Sequence, residues 1–240
     1  VHLFFTALIE YGTMSFSEVA APTLKILDQG GEDWYDELAI TIRKLIATES
    51  KVNGNRKEKL KAARDRFYKG DIAEQLVNYY KENGGYLTLQ DLKEHQTLIE
   101  DPVSVNYRGY TILKCGPWTQ GPYLCQTLRI LEGFNLKAMG HLSGNYIHAL
   151  TESLKLGLAD RDYYYGDPRF TKVPMDELLS DEYTKIRQGL VNMESASLKV
   201  RPGDPINMKA LVDKPSKYRP GPGGTTTCVV ADRWGNFVAA

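Results

Sequence analysis

Thr225 is the residue whose type and setting carry the most chemistry. It follows Gly223 and Gly224 and leads a run of three threonines in G-P-G-G-T-T-T-C-V-V-A-D-R-W-G-N-F-V-A-A, Gly221 to Ala240. If the Gly224–Thr225 bond is cut, the Thr225 hydroxyl becomes a nucleophile and its freed α-amine the base that activates it. The two glycines give the backbone access to the strained geometry in which that hydroxyl attacks the carbonyl before it. A plainer reading of the same residues is that β-branched threonines open a strand. Gly-Gly-Thr-Thr is short, and by itself it leaves both readings open.

Other reactive side chains form no comparable set. Asp160-Arg161-Asp162, with Asp167 nearby, offers carboxylates for a cation. Adjacent carboxylates on a helix diverge and Arg161 can neutralise them, so a structural ion-pair cluster is the expectation. His141 and His148 lack the i, i+4 spacing of a zinc helix. His2 and His95 stand alone in the sequence, and each histidine is expected in an ordinary hydrogen bond. Cys115, Cys125 and Cys228 have no metal spacing, and their odd number argues against a disulfide framework; they read as small buried hydrophobes. The sequence has no phosphate loop, dinucleotide fingerprint or serine elbow. No metal or cofactor is implied.

The elements that must position Thr225 follow from pattern. With 30 basic and 30 acidic side chains in 240 residues, the formal charge is zero. There is no basic field to gather nucleic acid, and no apolar run is long enough for a membrane span. Val1–Ile9 reads as the middle of a buried helix, which together with the absence of an initial methionine implies a chain cut at both ends. Helices are expected over Leu3–Tyr11, from Ser15 or Ser17 to Gly30, Asp33–Thr48, Lys57–Phe67, from an Asp71 cap to Asn83, and Leu89–Glu94 under a Thr88 cap. The period then switches to two: Pro102–Tyr107, a turn at Arg108-Gly109, and Tyr110–Leu113 form a β-hairpin. Cys115–Pro122 is a rigid loop before a helix Tyr123–Glu132. Further helices span Ser143–Tyr165 and Glu177–Val191. Ser195–Gly224, rich in Pro and Gly, reads as an extended linker. Thr225–Ala231, a turn at Asp232–Asn236 and Phe237–Ala240 form a second hairpin, whose unpaired edge predicts self-association or local disorder.

The run of segments in order resembles the γ-glutamyltransferase (γ-glutamyltranspeptidase) family. The resemblance rests on Y-G-T-M-S-F-S-E-V-A-A-P (Tyr11–Pro22), F-Y-K-G-D-I-A-E-Q-L-V (Phe67–Val77), G-G-Y-L-T-L-Q-D-L (Gly84–Leu92) and P-V-S-V-N-Y-R-G-Y (Pro102–Tyr110). Q-T-L-R-I-L-E-G-F (Gln126–Phe134), A-D-R-D-Y-Y-Y-G-D-P-R-F (Ala159–Phe170) and G-G-T-T-T-C-V-V-A-D-R-W-G-N continue it. It implies an α+β, mainly helical portion of an Ntn-hydrolase (αββα) fold with a few antiparallel strands. Residues 1–224 then match the large-subunit region and 225–240 the start of the small subunit. It further implies a proenzyme that cuts itself before Thr225, with Thr226 as the family's second threonine and an acyl-enzyme on Thr225. The implied partners are a small-molecule γ-glutamyl substrate and the family's remaining N-terminal and small-subunit segments, which hold its carboxylate clamp and oxyanion hole. Without them this chain is expected to be inactive. Members are commonly exported, which implies a periplasmic or extracellular setting, with the cytoplasm as the alternative. Two departures bear on substrate: Thr227 and Val229 stand where the family has histidine and serine, and G-P-W-T-Q-G-P (Gly116–Pro122) replaces P-P-P-S-S-G-G. They keep a non-glutamyl Ntn acylase and a non-catalytic helical scaffold open as alternatives.

Overall fold

The computed structural model describes residues 1–212 and 228–239. They are mainly helical with two antiparallel ribbons, in two compact units divided at Ile99 and Glu100. The first unit holds α1 (His2–Glu10), α2 (Phe16–Leu27), α3 (Tyr35–Lys51), α4 (Arg56–Lys69), α5 (Asp71–Glu82) and α6 (Leu89–Glu94). Capping boxes start three of them: Ser15 with Glu18, Asn55 with Glu58, and Thr88 with Asp91. Each pair satisfies two of the donors that a helix start leaves without partners. The core joins Phe5 and Ile9 of α1 to Leu45, Leu60, Ala63 and Ile72 on the next helices. α4 is its hub and packs on α1, α3, α5 and α6.

Charged side chains close helix ends that backbone bonds leave open. Glu49, on α3 and buried, accepts from the N–H groups of Phe16 (2.7 Å) and Ser17 (2.9 Å) at the start of α2. Its negative charge meets the positive end of that helix. Arg56 donates to the carbonyls of Leu8 (2.9 Å) and Met14 (3.2 Å), gripping the end of α1 and the loop after it. The expected Asp71 cap is displaced by one residue. Gly70 is the N-cap, and Asp71 instead accepts from Arg66 Nε and Nη2 at 2.8 and 3.0 Å. A two-pronged charge-assisted pair outweighs a single cap bond. On α2, the apolar Val19 and Ile26 are exposed, while Ala20 and Leu27, seven residues apart, face inward.

In the second unit β1 (Val103–Tyr107) and β2 (Tyr110–Lys114) pair in the expected register, Val105 opposite Ile112. Arg108 and Gly109 both take positive φ, the twist that a two-residue hairpin turn needs. After α7 (Gly121–Leu131) and α8 (Leu136–Met139), α9 (Gly144–Tyr164) lies along α7. Gly157 permits that approach, since a Cβ there would meet Thr127 Oγ1 at 2.7 Å. The helix expected over 177–191 is two, α10 (Met175–Leu178) and α11 (Asp181–Gln188), because Ser180 caps the second by accepting from Tyr183 N–H. β3 (Val229–Ala231) and β4 (Phe237–Ala239) pair antiparallel, and every residue of both is exposed. Among the described residues no helix is long and apolar enough to cross a membrane.

Candidate active site

Thr225, with Gly223, Gly224, Thr226 and Thr227, lies outside the described residues. The chain on either side of that stretch is described. Downstream, Asp232 builds the turn between β3 and β4. Its Oδ1 accepts from the N–H groups of Trp234 (2.9 Å) and Asn236 (3.0 Å), and its Oδ2 from Asn236 Nδ2 (2.8 Å). Those bonds, the Asn236 side chain first, hold the Asp232 carboxyl below the usual carboxylate range. Gly235 at φ 87° supplies the left-handed step that closes the turn.

Upstream, the stretch expected to be an extended linker is in part tied to the core. The Asn192 carbonyl, just ahead of this stretch, accepts from His148 Nε2–H at 2.8 Å, so Nε2 carries a proton. Pro202, Gly203 and Pro205 are buried, Asp204 pairs with Lys209 as an antiparallel bridge, and Val212 N–H donates to the Pro202 carbonyl. Four charged residues bind this loop. Asp160 and Arg187 are both fully buried and form an ion pair at 3.1 Å. Asp160 also accepts from Gly203 N–H (2.7 Å), Gln126 Nε2 (2.6 Å) and Tyr183 Oη (3.0 Å). Arg187 donates to the carbonyls of Arg201 (2.6 Å), Ala210 (2.7 Å) and Leu156 (3.2 Å). Arg201 reaches Glu152 Oε2 at 2.7 Å, and Tyr164 Oη donates to the Gly203 carbonyl at 2.9 Å. Burial pushes the Asp160 carboxyl above its ordinary range, against the pull of Arg187 and the three other donors. Burial and the neighbouring Asp160 likewise push the Tyr183 phenol up.

The aspartate cluster is therefore a set of ion pairs, with a partner that local spacing did not reveal. Arg161 pairs with Asp162, Arg169 with Asp167, and Asp160 turns inward to Arg187. Arg161 also donates to Gln120 Oε1 (2.6 Å) in the Gly116–Pro122 loop, which Thr119 stiffens by donating to the Gly116 carbonyl and accepting from Gly121 N–H. Of the cysteines only Cys125 is buried; Cys115 and Cys228 are exposed. Among the described residues no His, Cys, Asp and Glu cluster could hold a metal.

His2 and His95, expected to be isolated, lie with ring centroids 5.3 Å apart and share a cavity of about 260 Å³ with Tyr68, Lys61 and Arg64. His2 Nδ1 accepts from Thr97 N–H at 3.2 Å, which places the proton of the neutral ring on Nε2. Burial, then Arg64, lowers the His2 pKa.

Together these features define a mainly helical α+β protein in which an ionically tethered loop and a β-ribbon flank a glycine–threonine stretch. Residues 36–240 match the family described as Gamma-glutamyltranspeptidase, and the chain belongs to that family. A Glutathione hydrolase proenzyme of Bacillus subtilis (strain 168) is 31% identical over 264 residues, covering 97% of this chain and 44% of the relative. An Acylase ACY 1 proenzyme of Pseudomonas sp. (strain SE83) is 35% identical over 133 residues, 55% of this chain and 24% of the relative. The crystal structure of Helicobacter pylori gamma-Glutamyltranspeptidase superposes with a TM-score of 0.66 at 25% identity, covering 83% of this chain and 65% of that one. The chain thus spans less than half the length of the curated relatives named here. Its fold is that of the Ntn-hydrolase enzymes of this family.

Proposed function

We propose that the full-length protein carrying this chain is a γ-glutamyl hydrolase or transferase whose nucleophile is Thr225. The observation that carries this is the position of Gly-Gly-Thr-Thr: it lies within the family match, directly ahead of the β3–β4 ribbon. Processing begins when the Thr225 hydroxyl oxygen attacks the Gly224 carbonyl carbon. The C–N bond breaks as the C–O ester bond forms, and the hydroxyl proton goes to the departing nitrogen. Water then cleaves the ester, leaving a Gly224 carboxylate and a Thr225 with free hydroxyl and amine. In turnover the freed amine takes the hydroxyl proton as the oxygen attacks a γ-glutamyl carbonyl. That proton passes to the leaving amine, and water or a second amine resolves the acyl-enzyme.

This chain alone is proposed to be inactive, because it spans 44% of its Bacillus relative and an oxyanion hole is worth about 10²–10³ in rate per donor. A second reading is an Ntn acylase acting on a non-glutamyl amide. The likeness to the Pseudomonas acylase proenzyme favours it, as do Thr227 and the Gly116–Pro122 loop, where the chain departs from the family pattern. Intact mass of the full-length protein and of its Thr225→Ala variant, after a day of incubation, tests the nucleophile. The expected result is two fragments divided at Gly224–Thr225 and an uncut variant. A full-length protein that stays whole refutes the enzyme reading and leaves the helical scaffold as a binding module. Release of glutamate from a γ-glutamyl anilide then separates the two enzyme readings.

A further inference from the structure

Three parts of the first unit converge on the cavity of about 260 Å³ that His2 and His95 share. From α1 come His2, Thr6 and Glu10, spaced by four and so on one face. From α4 come Lys61, Arg64, Asp65, Tyr68 and Lys69, again at spacings of three and four. Lys93 of α6 and the chain through Thr97 complete the wall. The charges of this lining do not balance. Asp65 pairs with Arg64 (2.8 Å) and Lys69 (3.1 Å), and Glu10 with Lys57 at 3.7 Å. Lys61 and Lys93 have no carboxylate partner among the described residues, and the lining carries an excess of two positive charges.

Two hydrogen-bond donors are also unmatched. His2 is only 8% exposed, and its Nδ1 accepts from Thr97 N–H (3.2 Å), with the Thr6 and Thr97 hydroxyls at 3.1 and 2.8 Å. The ring is thereby held with its proton on Nε2, and burial, then Arg64, favours the neutral form. Among the described residues no oxygen or nitrogen accepts from that Nε2–H. Tyr68 Oη accepts from the His2 backbone N–H at 3.0 Å, and its own proton likewise has no acceptor there. A buried donor without an acceptor is costly, and the surrounding cations supply none. What these groups lack is an anion with several oxygens.

We propose that this cavity binds a small phosphate-class dianion, either inorganic phosphate or the phosphoryl end of an ester, held by Lys61 and Lys93 and by the donors of His2 and Tyr68. A dianion cancels the excess charge. Its tetrahedral oxygens accept from α1, α4 and the α6 region at once, whereas a carboxylate offers two oxygens in one plane. Nothing in the site depends on Thr225 being a nucleophile.

The test is isothermal titration of the full-length protein with inorganic phosphate, glycerol phosphate and malonate. It is run at fixed ionic strength and about pH 8, where all three are dianions. The variants are Lys61→Gln and Lys93→Gln, both at exposed positions, and Lys59→Gln, which lies on α4 but lines a different cavity. Saturable phosphate binding at a single site is expected. Each of the first two substitutions should weaken it about tenfold, the loss of one charge-assisted bond, and Lys59→Gln by less than about twofold. Malonate should bind about tenfold more weakly than phosphate. Unliganded melting temperatures should stay within about 2 °C of the parent, so that lost affinity is not a lost fold. Tighter binding of glycerol phosphate assigns the site to an ester, and the reverse order assigns it to inorganic phosphate. No saturable phosphate binding in the full-length protein, where the chain ahead of Val1 is present, overturns the proposal. So does equal weakening by all three lysine substitutions, which marks a diffuse field and not a site. Malonate binding as tight as that of phosphate overturns the phosphate assignment.

Discussion

Removing Arg187 is the sharpest test of how the second unit holds together. In Arg187→Met, Asp160 keeps its bonds from Gln126, Tyr183 and Gly203 but loses the cation at 3.1 Å. At about 4 Å between charge centres and an effective dielectric near 20, the attraction lost is about 4 kcal/mol. Single-partner removals from buried pairs cost about 3–5 kcal/mol, the range expected here. Three carbonyls, of Leu156, Arg201 and Ala210, also lose their donor. The measurement is guanidinium unfolding of the parent, Arg187→Met, Asp160→Asn and the double variant, compared at equal m. Because the double variant carries no orphan charge, its loss should fall short of the sum of the singles by about 2–3 kcal/mol. The variant also carries a pH signature. Without Arg187 the burial that already raises the Asp160 pKa acts with less opposition. A folded-state pKa above the unfolded one gives stability that is present below the unfolded pKa and lost as pH rises through the folded pKa. The penalty of Arg187→Met should therefore grow as pH rises above the unfolded carboxylate value of about 4. Losses that add within about 0.5 kcal/mol, or a penalty flat with pH, would refute the pairing as the source of the stability.

Two further predictions concern the first unit. Glu49→Ala leaves the N–H groups of Phe16 and Ser17 without their acceptor, and should cost about 1–2 kcal/mol in thermal or chemical unfolding; a loss under a few tenths would show that water replaces the carboxylate fully. Asp71, bonded to Arg66, has its pKa lowered to about 2, so its contribution is present above the unfolded value near 4 and disappears as pH falls through about 2. Its side chain is 44% exposed, which limits the pair to about 1 kcal/mol or less. The stability gap between the parent and Asp71→Asn should narrow between pH 4 and pH 2 and shrink in high salt.

Much of the helical frame is legible in sequence because its starts are local chemistry. Ser15 with Glu18 and Thr88 with Asp91 encode their caps within four residues, and the structure places helices after both. The hairpin at Arg108-Gly109 is legible for the same reason. What escaped depends on long-range partners. Asp71 gave up its expected cap role to Arg66, and His2 meets His95 only because α1 and the chain after α6 converge. The Asp160–Arg187 pair spans 27 residues of sequence, yet a trace of it was readable. On α9 the buried face runs Ala149, Glu152, Ser153, Leu156, Gly157, Asp160, a spacing of threes and fours that includes two acids. Charge at helical period on a buried face demands a partner, even where sequence does not say which. Proline and glycine content hid the docked loop, since composition reports turn chemistry and not what the turns pack against. The candidate nucleophile Thr225 was found by its neighbours in sequence and family likeness, and it falls outside the described residues.

The docked loop has a consequence for dynamics. Resistance to amide hydrogen exchange is usually associated with helix and strand centres, because those amides are freed only by costly opening. Gly203 belongs to neither, yet its N–H is bonded to a carboxylate that is itself fully buried and paired. Exposing that amide to solvent requires separating the loop from both α9 and α11. An irregular stretch is thereby placed among the last parts of its unit to open, whereas the nearby Asn207 amide, bonded to the carboxylate of half-buried Asp204 within the same loop, exchanges through local fluctuation.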